Sequence, residues 1–148
     1  MLMENKMRWV RVKTQNGPSY GIINNDIISL VRGNLFETIE LTGEEIMLAN
    51  AKIMVPLEPK TFYAAGLNYA QHVIEQAKAN NREPNIPDEP HVGYRANNAL
   101  IADGEPIIKP NDSSEEFQYE GELVVIIGKK GKNLTEEEAL DILSLIHI

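Results

Sequence analysis

The sequence predicts an α+β fold that consists predominantly of β-structure. Short segments of alternating apolar and polar residues, separated by turn signals, fill the first part of the chain. A continuous apolar run, Leu123–Ile127, ends at Gly128, which is the pattern of a β-strand that enters a core. Few stretches carry the capping signals of a helix. Strands are therefore expected to outnumber helices.

The first of these segments predict a small meander. Three strands are expected, separated by turns at Asn16–Pro18 and Asn24–Asp26: Met7–Val12, Tyr20–Ile23 and Ile27–Val31. The residues that follow, up to about Asn50, look mixed, and Thr42–Glu45 is a possible helix start. Pro56 and Pro59 then indicate a domain boundary. We expect a small N-terminal β module over residues 1–55 and a second domain over residues 60–148.

The second domain is expected to begin with a short buried strand, Thr61–Ala65, followed by a tight turn at Gly66. Asn68 is a good N-cap residue, and Gln71 could complete a capping box. A helix over about Tyr69–Ala79 follows from these signals, and Asn80 and Asn81 end it. Residues 84–90 form a polar, proline-punctuated loop.

That helix carries His72 and Glu75, which lie on one face because they are three residues apart. A carboxylate that orients an imidazole raises its basicity, so His72 is a candidate general base near neutral pH. The alternative is a structural histidine with Glu75 as its partner.

Further along, Arg95 offers a planar fork suited to a carboxylate, or is simply a surface charge. Ile107 and Ile108 are expected to form a strand. Thr135 and Glu138 have the spacing of a capping box for a helix that continues to about Leu143.

Two further carboxylates, Glu120 and Glu122, come just before the apolar run of Leu123–Ile127. Alternate residues of a strand point to the same face, so both side chains should project together. Two close like charges repel unless a cation sits between them, and Mg²⁺ or Ca²⁺ prefers carboxylate oxygen. The alternative is a solvated edge, where charge discourages pairing with other strands.

The composition limits the possible partners. The chain of 148 residues contains 43% hydrophobic and 24% charged residues, as in soluble globular proteins, and no apolar stretch is long enough to cross a bilayer. We expect a cytoplasmic protein without a membrane partner. A net charge of -8 argues against nucleic acid as a partner. With no cysteine, any metal must be held by oxygen or imidazole.

Three motifs together resemble the fumarylacetoacetate hydrolase family, in its order and spacing, from about Lys60 to Asp141. They are Gly66–Tyr69 with His72 and Glu75, then Gly93–Arg95, then Tyr119–Gly128, which contains Tyr-Glu-Gly-Glu-Leu. The resemblance implies a mixed β-roll or sandwich-like catalytic core, preceded by a small N-terminal domain.

The resemblance also implies a metal-dependent enzyme, usually a homodimer, that uses Mg²⁺ or Mn²⁺ on small 2-oxo or 1,3-dioxo acids. The expected reactions are hydrolysis of carbon–carbon bonds, decarboxylation or isomerisation, with the metal stabilising an enolate. Glu120 and Glu122 would be metal ligands, and His72 and Glu75 a catalytic dyad. Tyr69 and Arg95 would bind substrate, although many members have lysine at the position of Arg95.

The sequence departs from the family in two places. Gln118 stands where the family usually has aspartate, and the third carboxylate ligand would come from beyond Ile148. We therefore expect the chain to be the N-terminal part of such an enzyme. The alternative function is that of a non-catalytic fragment or a soluble, β-rich binding module.

Overall fold

The computed structural model describes residues 7–115, 117 and 122–147, with the backbone alone for 145–147. The chain divides into two compact units. One contains the residues up to Met54 together with those from Gly104 onwards, and the other is Val55–Asp103. Among the described residues, strands predominate over two short α-helices, and neither helix is long and apolar enough to cross a membrane. This confirms the predicted fold class.

The N-terminal residues form one antiparallel sheet in the order β4-β3-β2-β1-β5. Its strands are β1 (Arg8–Thr14), β2 (Gly17–Asn24), β3 (Ile27–Gly33), β4 (Ile39–Met47) and β5 (Lys52–Ile53). The three strands predicted for the meander are therefore confirmed, and each is longer than its apolar pattern indicated. A 3₁₀ turn, Leu48–Asn50, connects β4 to β5.

The helix start expected at Thr42–Glu45 is wrong, because these residues lie inside strand β4. The Thr42 hydroxyl donates to the carbonyl of Leu30 at 3.2 Å, and Gly43 adopts a φ of 84°. The pairing of β3 with β4 shifts register at this point. The Thr-Gly pair thus forms an irregularity in a paired strand, and pairing with β3 overrides the local helix signal.

The core of this sheet is small and centred on β1 and β3. Val10, Val12, Ile28 and Leu30 are buried, and Val12 and Ile28 are fully inaccessible. Partly buried apolar residues pack against them: Ile23, Ile46, Leu48, Ala51 and Ile53. Gly21 of β2 pairs with both Val10 and Leu30, and a Cβ there would overlap Ile28 Cγ2. The absence of a side chain at Gly21 therefore makes room for Ile28.

The second unit contains a two-stranded antiparallel sheet and a helix. Strand β6 (Phe62–Gly66) pairs with β7 (His91–Arg95), and helix α1 (Ala70–Ala79) lies between them in sequence. A 3₁₀ turn, Asn97–Ala99, follows β7. The strand expected over Thr61–Ala65 is confirmed, shifted by one residue, but it is half-buried at best, and Gly66, expected in a tight turn, is its last residue. A sheet of two strands leaves much of its surface uncovered.

Helix α1 begins without the capping box expected of Asn68 and Gln71. Tyr69 occupies the N-cap position and makes no side-chain capping bond. Gln71 instead donates to Glu75 Oε1 at 2.8 Å, a bond between successive turns of the helix. The predicted end is confirmed, since the Asn80 amide donates to the carbonyl of Gln76 at 2.8 Å and Asn81 has a φ of 50°.

The C-terminal residues form a second two-stranded sheet. Strand β8 (Val124–Ile127) pairs antiparallel with β9 (Leu143–His147), and helix α2 (Glu136–Asp141) lies between them. The predicted strand is confirmed but is mostly exposed rather than buried. The helix stops before Leu143 because that residue begins β9. The strand expected at Ile107 and Ile108 is wrong, since both residues are irregular and exposed.

The packing of Ile28 provides a test of the N-terminal core. We expect Ile28→Ala to lower the free energy of unfolding by about 2–5 kcal/mol, because truncation leaves a cavity in a closed core. Ile27→Ala is the matched control, since the neighbouring side chain is 38% exposed. Urea unfolding followed by the fluorescence of Trp9, the single tryptophan and a residue of β1, measures both. Equal losses of unfolding free energy in the two variants would contradict the assignment of Ile28 to the core.

The capping box of α2 is confirmed and makes a pH-dependent prediction. Glu138 Oε2 accepts from the Thr135 backbone N–H at 2.8 Å, and the Thr135 hydroxyl accepts from the Glu138 N–H at 3.3 Å. The backbone N–H and then the hydroxyl of Thr135 lower the pKa of Glu138. A carboxylate with a lowered pKa stabilises the fold above its unfolded pKa, and this stability is lost as the pH falls through the folded pKa.

We therefore expect the destabilisation caused by Glu138→Gln to be largest near pH 7 and to shrink on acidification. Glu137→Gln is the control on the same helical turn. NMR titration of the Glu138 carboxyl should also show a higher pKa in Thr135→Ala than in the wild type. This pKa should stay below the ordinary value of glutamate, because the backbone N–H of residue 135 still donates to the carboxylate. An unchanged pKa in that variant would exclude the contribution of the hydroxyl.

Candidate active site

Helix α1 presents two of the predicted catalytic residues to solvent. Val73 and Ala77, one turn apart, are the buried residues of this helix. His72 and Glu75 are both exposed. The spacing of the apolar residues therefore fixes which face of α1 is buried and leaves the two ionisable side chains accessible.

The two side chains have different hydrogen-bond partners in this structure. His72 Nε2 lies 3.1 Å from Gln76 Nε2, whereas Glu75 accepts from Gln71. The contact between the Gln76 amide and the His72 ring is compatible with either ring tautomer, according to which group donates. The dyad of His72 and Glu75 therefore stays a prediction, and each residue is bonded along the helix by a glutamine.

The turn between β6 and α1 contains an unusual backbone conformation. Four described residues other than glycine have a positive φ, and three of them are asparagines: Asn25, Asn81 and Asn133. The fourth is Leu67, with a φ of 55° and a side chain that is 54% exposed. This conformation is costly for leucine. The predicted substrate-binding residue Tyr69, two positions later, is also exposed.

The register of the β6–β7 hairpin places Arg95 at the opposite end from α1. Arg95 pairs with Phe62 at the start of β6, and Gly66, where the chain turns towards α1, pairs with His91. Four residues of strand separate the two ends, about 13 Å at the usual rise. His91 is the first residue of β7.

A pair of tyrosines lies across this hairpin, one residue from its Arg95 end. Tyr63 and Tyr94 are directly opposite each other, with ring centroids 4.8 Å apart and hydroxyl oxygens 3.4 Å apart. The hydrogen bond with Tyr94 raises the pKa of Tyr63. The sequence analysis did not predict this pair, because strand β7 was not expected.

A groove of about 520 Å³ lies at the Arg95 end of the hairpin. Its lining residues come from the start of β6, the end of β7 and the following 3₁₀ turn: Lys60, Thr61, Phe62, Tyr94, Arg95, Asn97 and Asn98. Two of them are cationic and none is acidic. Of these residues, sequence reasoning identified Arg95 alone. The other residues have no recognisable spacing in the sequence. The two adjacent amides of Asn97 and Asn98, so close to Arg95, could have indicated a polar site.

The predicted metal ligands are described in part. Glu120 lies outside the described residues, and Glu122 lies just before β8 with an exposed side chain. Within the part of the chain that the structure describes, Glu122 makes no hydrogen bond or ion pair. No three His, Asp or Glu residues of that part are grouped to hold a metal. The pairing of Glu120 with Glu122 therefore stays a prediction.

Comparisons with known proteins identify the family of this fold. The family described as Fumarylacetoacetate (FAA) hydrolase C-terminal matches residues 61–148, and the family described as Rv2993c-like, N-terminal matches residues 7–56. The first match covers more than half of the chain. The chain therefore belongs to the fumarylacetoacetate hydrolase family.

Three relatives show the extent of the similarity. The "Fumarylacetoacetate hydrolase domain-containing protein 2 homolog" of Dictyostelium discoideum is 41% identical over 100 residues, which cover 68% of this chain and 30% of that protein. The "Homoprotocatechuate catabolism bifunctional isomerase/decarboxylase" of Escherichia coli is 42% identical over 81 residues, 55% of this chain and 17% of that protein. The crystal structure of Cg1458 with inhibitor aligns with a TM-score of 0.81 and 25% identity, covering 95% of this chain and 53% of that one.

The chain thus spans well under half the length of these two curated relatives and about half of the similar solved structure. Members of the family act on oxo acids as hydrolases, isomerases, decarboxylases and tautomerases. Enzymes of this family generally depend on a divalent metal.

The conformation of Leu67 leads to a test of the turn that precedes α1. We expect Leu67→Asn to raise the free energy of unfolding by about 1 kcal/mol, because asparagine tolerates a positive φ and the leucine side chain is mostly exposed. The reciprocal variant Asn25→Leu places leucine at a φ of 52° and should lower it by a similar amount. Chemical denaturation followed by circular dichroism measures both. A destabilising Leu67→Asn would contradict the assigned strain.

Proposed function

We propose that the protein acts, as a divalent-metal-dependent enzyme, on 2-oxo or 1,3-dioxo acids. The reaction is hydrolysis of a carbon–carbon bond, isomerisation or decarboxylation. One observation carries the proposal: the region that matches the family, residues 61–148, contains all six predicted site residues. They are Tyr69, His72, Glu75, Arg95, Glu120 and Glu122.

The donor set suits the metal that the family implies. Mg²⁺ and Mn²⁺ prefer oxygen ligands, and the chain contains no cysteine. Glu122 offers an exposed carboxylate that no other described group engages. Glu120 and Glu122 would hold the ion. When bound, it would supply Lewis-acid polarisation of the oxygen atoms of the oxo acid.

Two residues of α1, His72 and Glu75, would carry out the proton transfer of the reaction. His72 Nε2 contacts the Gln76 amide, so rotation of the Gln76 side chain would free this ring nitrogen to take a proton from water or substrate. Glu75 would take up the orienting role after releasing Gln71, since residues three apart on a helix are neighbours on its surface. Tyr69 and Arg95 would bind the substrate, Arg95 through a bidentate pair with a carboxylate.

The proposal extends to the setting of the enzyme. We place the active form as a homodimer in the cytoplasm, with Mg²⁺ or Mn²⁺ and a small oxo acid as its partners. The net charge of -8 supports the absence of nucleic acid and anionic membrane from this set, because both repel an acidic protein.

Metal-dependent stabilisation tests the predicted ligands. We expect Mg²⁺ or Mn²⁺ to raise the midpoint of thermal unfolding of the full chain, since an ion that binds only the folded state stabilises it by about 2.7 kcal/mol at a hundred times its Kd. Glu122→Gln should abolish most of this rise. Glu115→Gln removes one negative charge seven residues earlier in the chain and should leave the rise nearly unchanged. No rise at millimolar ion would favour the alternative, a non-catalytic β-rich module.

A further variant, at His72, separates metal binding from proton transfer. His72→Ala should keep the metal-dependent rise, because the imidazole is proposed as a base and not as a ligand. The His72→Ala variant should lose most of its turnover of an oxo acid such as oxaloacetate. The ultraviolet absorbance of the enol form of oxaloacetate measures this turnover. Loss of the metal-dependent rise in His72→Ala would instead make His72 a ligand.

A further inference from the structure

Tyr63 and Tyr94, which face each other across the β6–β7 hairpin, are both open to solvent. Tyr63 is 52% exposed and Tyr94 is 76% exposed. The sheet that carries them has two strands, and neither ring belongs to the buried core of the described residues. Phenol is among the side chains that lose one electron most readily, and a dissolved oxidant can reach both of these rings.

The two rings converge at the ends that carry the hydroxyl groups. The ring centroids lie 4.8 Å apart, whereas the hydroxyl oxygens lie 3.4 Å apart, and the ring planes are inclined by 37°. The ortho carbons, Cε1 and Cε2, flank the carbon that bears the hydroxyl, so they also lie at the converging end. Antiparallel pairing maintains this arrangement, because directly opposite residues on one face of a sheet have Cβ atoms about 4.5–5.5 Å apart.

The other described tyrosines are placed differently. Tyr20 lies opposite Arg11 on one side and Val31 on the other, and Tyr69 is the N-cap residue of α1. Neither stacks on another aromatic ring within the part of the chain that the structure describes. Holding two reacting groups side by side makes their coupling an effectively unimolecular step. Among these tyrosines, the hairpin pair alone has this advantage.

We propose that Tyr63 and Tyr94 form a site of oxidative cross-linking, at which a one-electron oxidant of the haem peroxidase class joins them as dityrosine. Each hydroxyl loses one electron and one proton, which gives two phenoxyl radicals. One Cε carbon of each ring then forms a new carbon–carbon bond. Each of these carbons releases its hydrogen as a proton, and each ring oxygen takes up a proton. The net loss is two hydrogen atoms, which reduce one hydrogen peroxide to two water molecules.

The cross-link closes a loop that contains helix α1. The residues between the two tyrosines include Ala70–Ala79 and the proline-punctuated segment 84–90. A covalent link stabilises a fold mainly by restricting the unfolded chain, and more so for longer loops. Because the strands of the hairpin have few buried side chains, we expect the cross-linked chain to have a higher midpoint of thermal unfolding than the untreated chain. The modification requires neither the metal nor the oxo acid of the proposed function.

Treatment of the full chain, at high dilution, with a plant haem peroxidase and hydrogen peroxide tests the site. We expect dityrosine fluorescence from a monomer that is lighter by two hydrogen atoms, with the link between the tryptic peptides 61–78 and 83–95. Tyr63→Phe and Tyr94→Phe keep an aromatic ring at each position, and each should lose this product because phenylalanine has no hydroxyl to oxidise. Tyr69→Phe removes an exposed tyrosine from the same unit and should retain it.

The same oxidation in urea provides the comparison with an unfolded chain. Unfolding separates the two strands, so the yield of the intramolecular product should fall, and an equal yield in folded and unfolded chains would overturn the proposal. A product that persists in Tyr63→Phe or in Tyr94→Phe, or that joins two chains instead of two strands, would also overturn it. Thermal unfolding of the purified cross-linked monomer completes the test, and a midpoint that does not rise would contradict cross-linking in the native hairpin.

Discussion

Antiparallel backbone pairing is the constraint on which the order of this chain depends. Each of the three sheets that the described residues form is held by hydrogen bonds between neighbouring strands, and the N-terminal sheet adds a compact core around Val12 and Ile28. The two-stranded sheets have few buried side chains. Their register therefore decides where the functional groups lie. In the second unit it places Gly66 at one end of the hairpin and Arg95 at the other.

Local signals in the sequence predicted the elements that local interactions stabilise. The meander, the helix from residue 70 to 79 and the capping box of Thr135 and Glu138 all depend on neighbours within a few residues. The predictions that were wrong or missing concern strands whose partners are distant in the sequence. Strands β4, β7 and β9 form because a partner strand is present, and nothing in their own residues distinguishes them from a helix start, a loop or a helix end.

The candidate site shows the same division. The spacing of His72 and Glu75 predicted that both lie on one face of a helix, and α1 contains both, with exposed side chains. It could not predict their hydrogen bonds, because Gln71 and Gln76 occupy equally suitable positions one turn away and compete for them. The groove around Arg95 was not predicted, since it depends on the pairing of β6 with β7 and on the bond from Asn97 to Pro59.

The order of the units along the chain has a consequence for biosynthesis. The unit that contains the N-terminal sheet is discontinuous, because Val55–Asp103 separates its two segments. A ribosome adds these roughly fifty residues in about 3–10 s. The strands of the N-terminal sheet are therefore synthesised several seconds before the second segment of the same unit. The closed packing of Val12 against its neighbours is already complete within the earlier segment. The sheet can thus fold during translation and shield its apolar residues from chaperones until the later segment emerges.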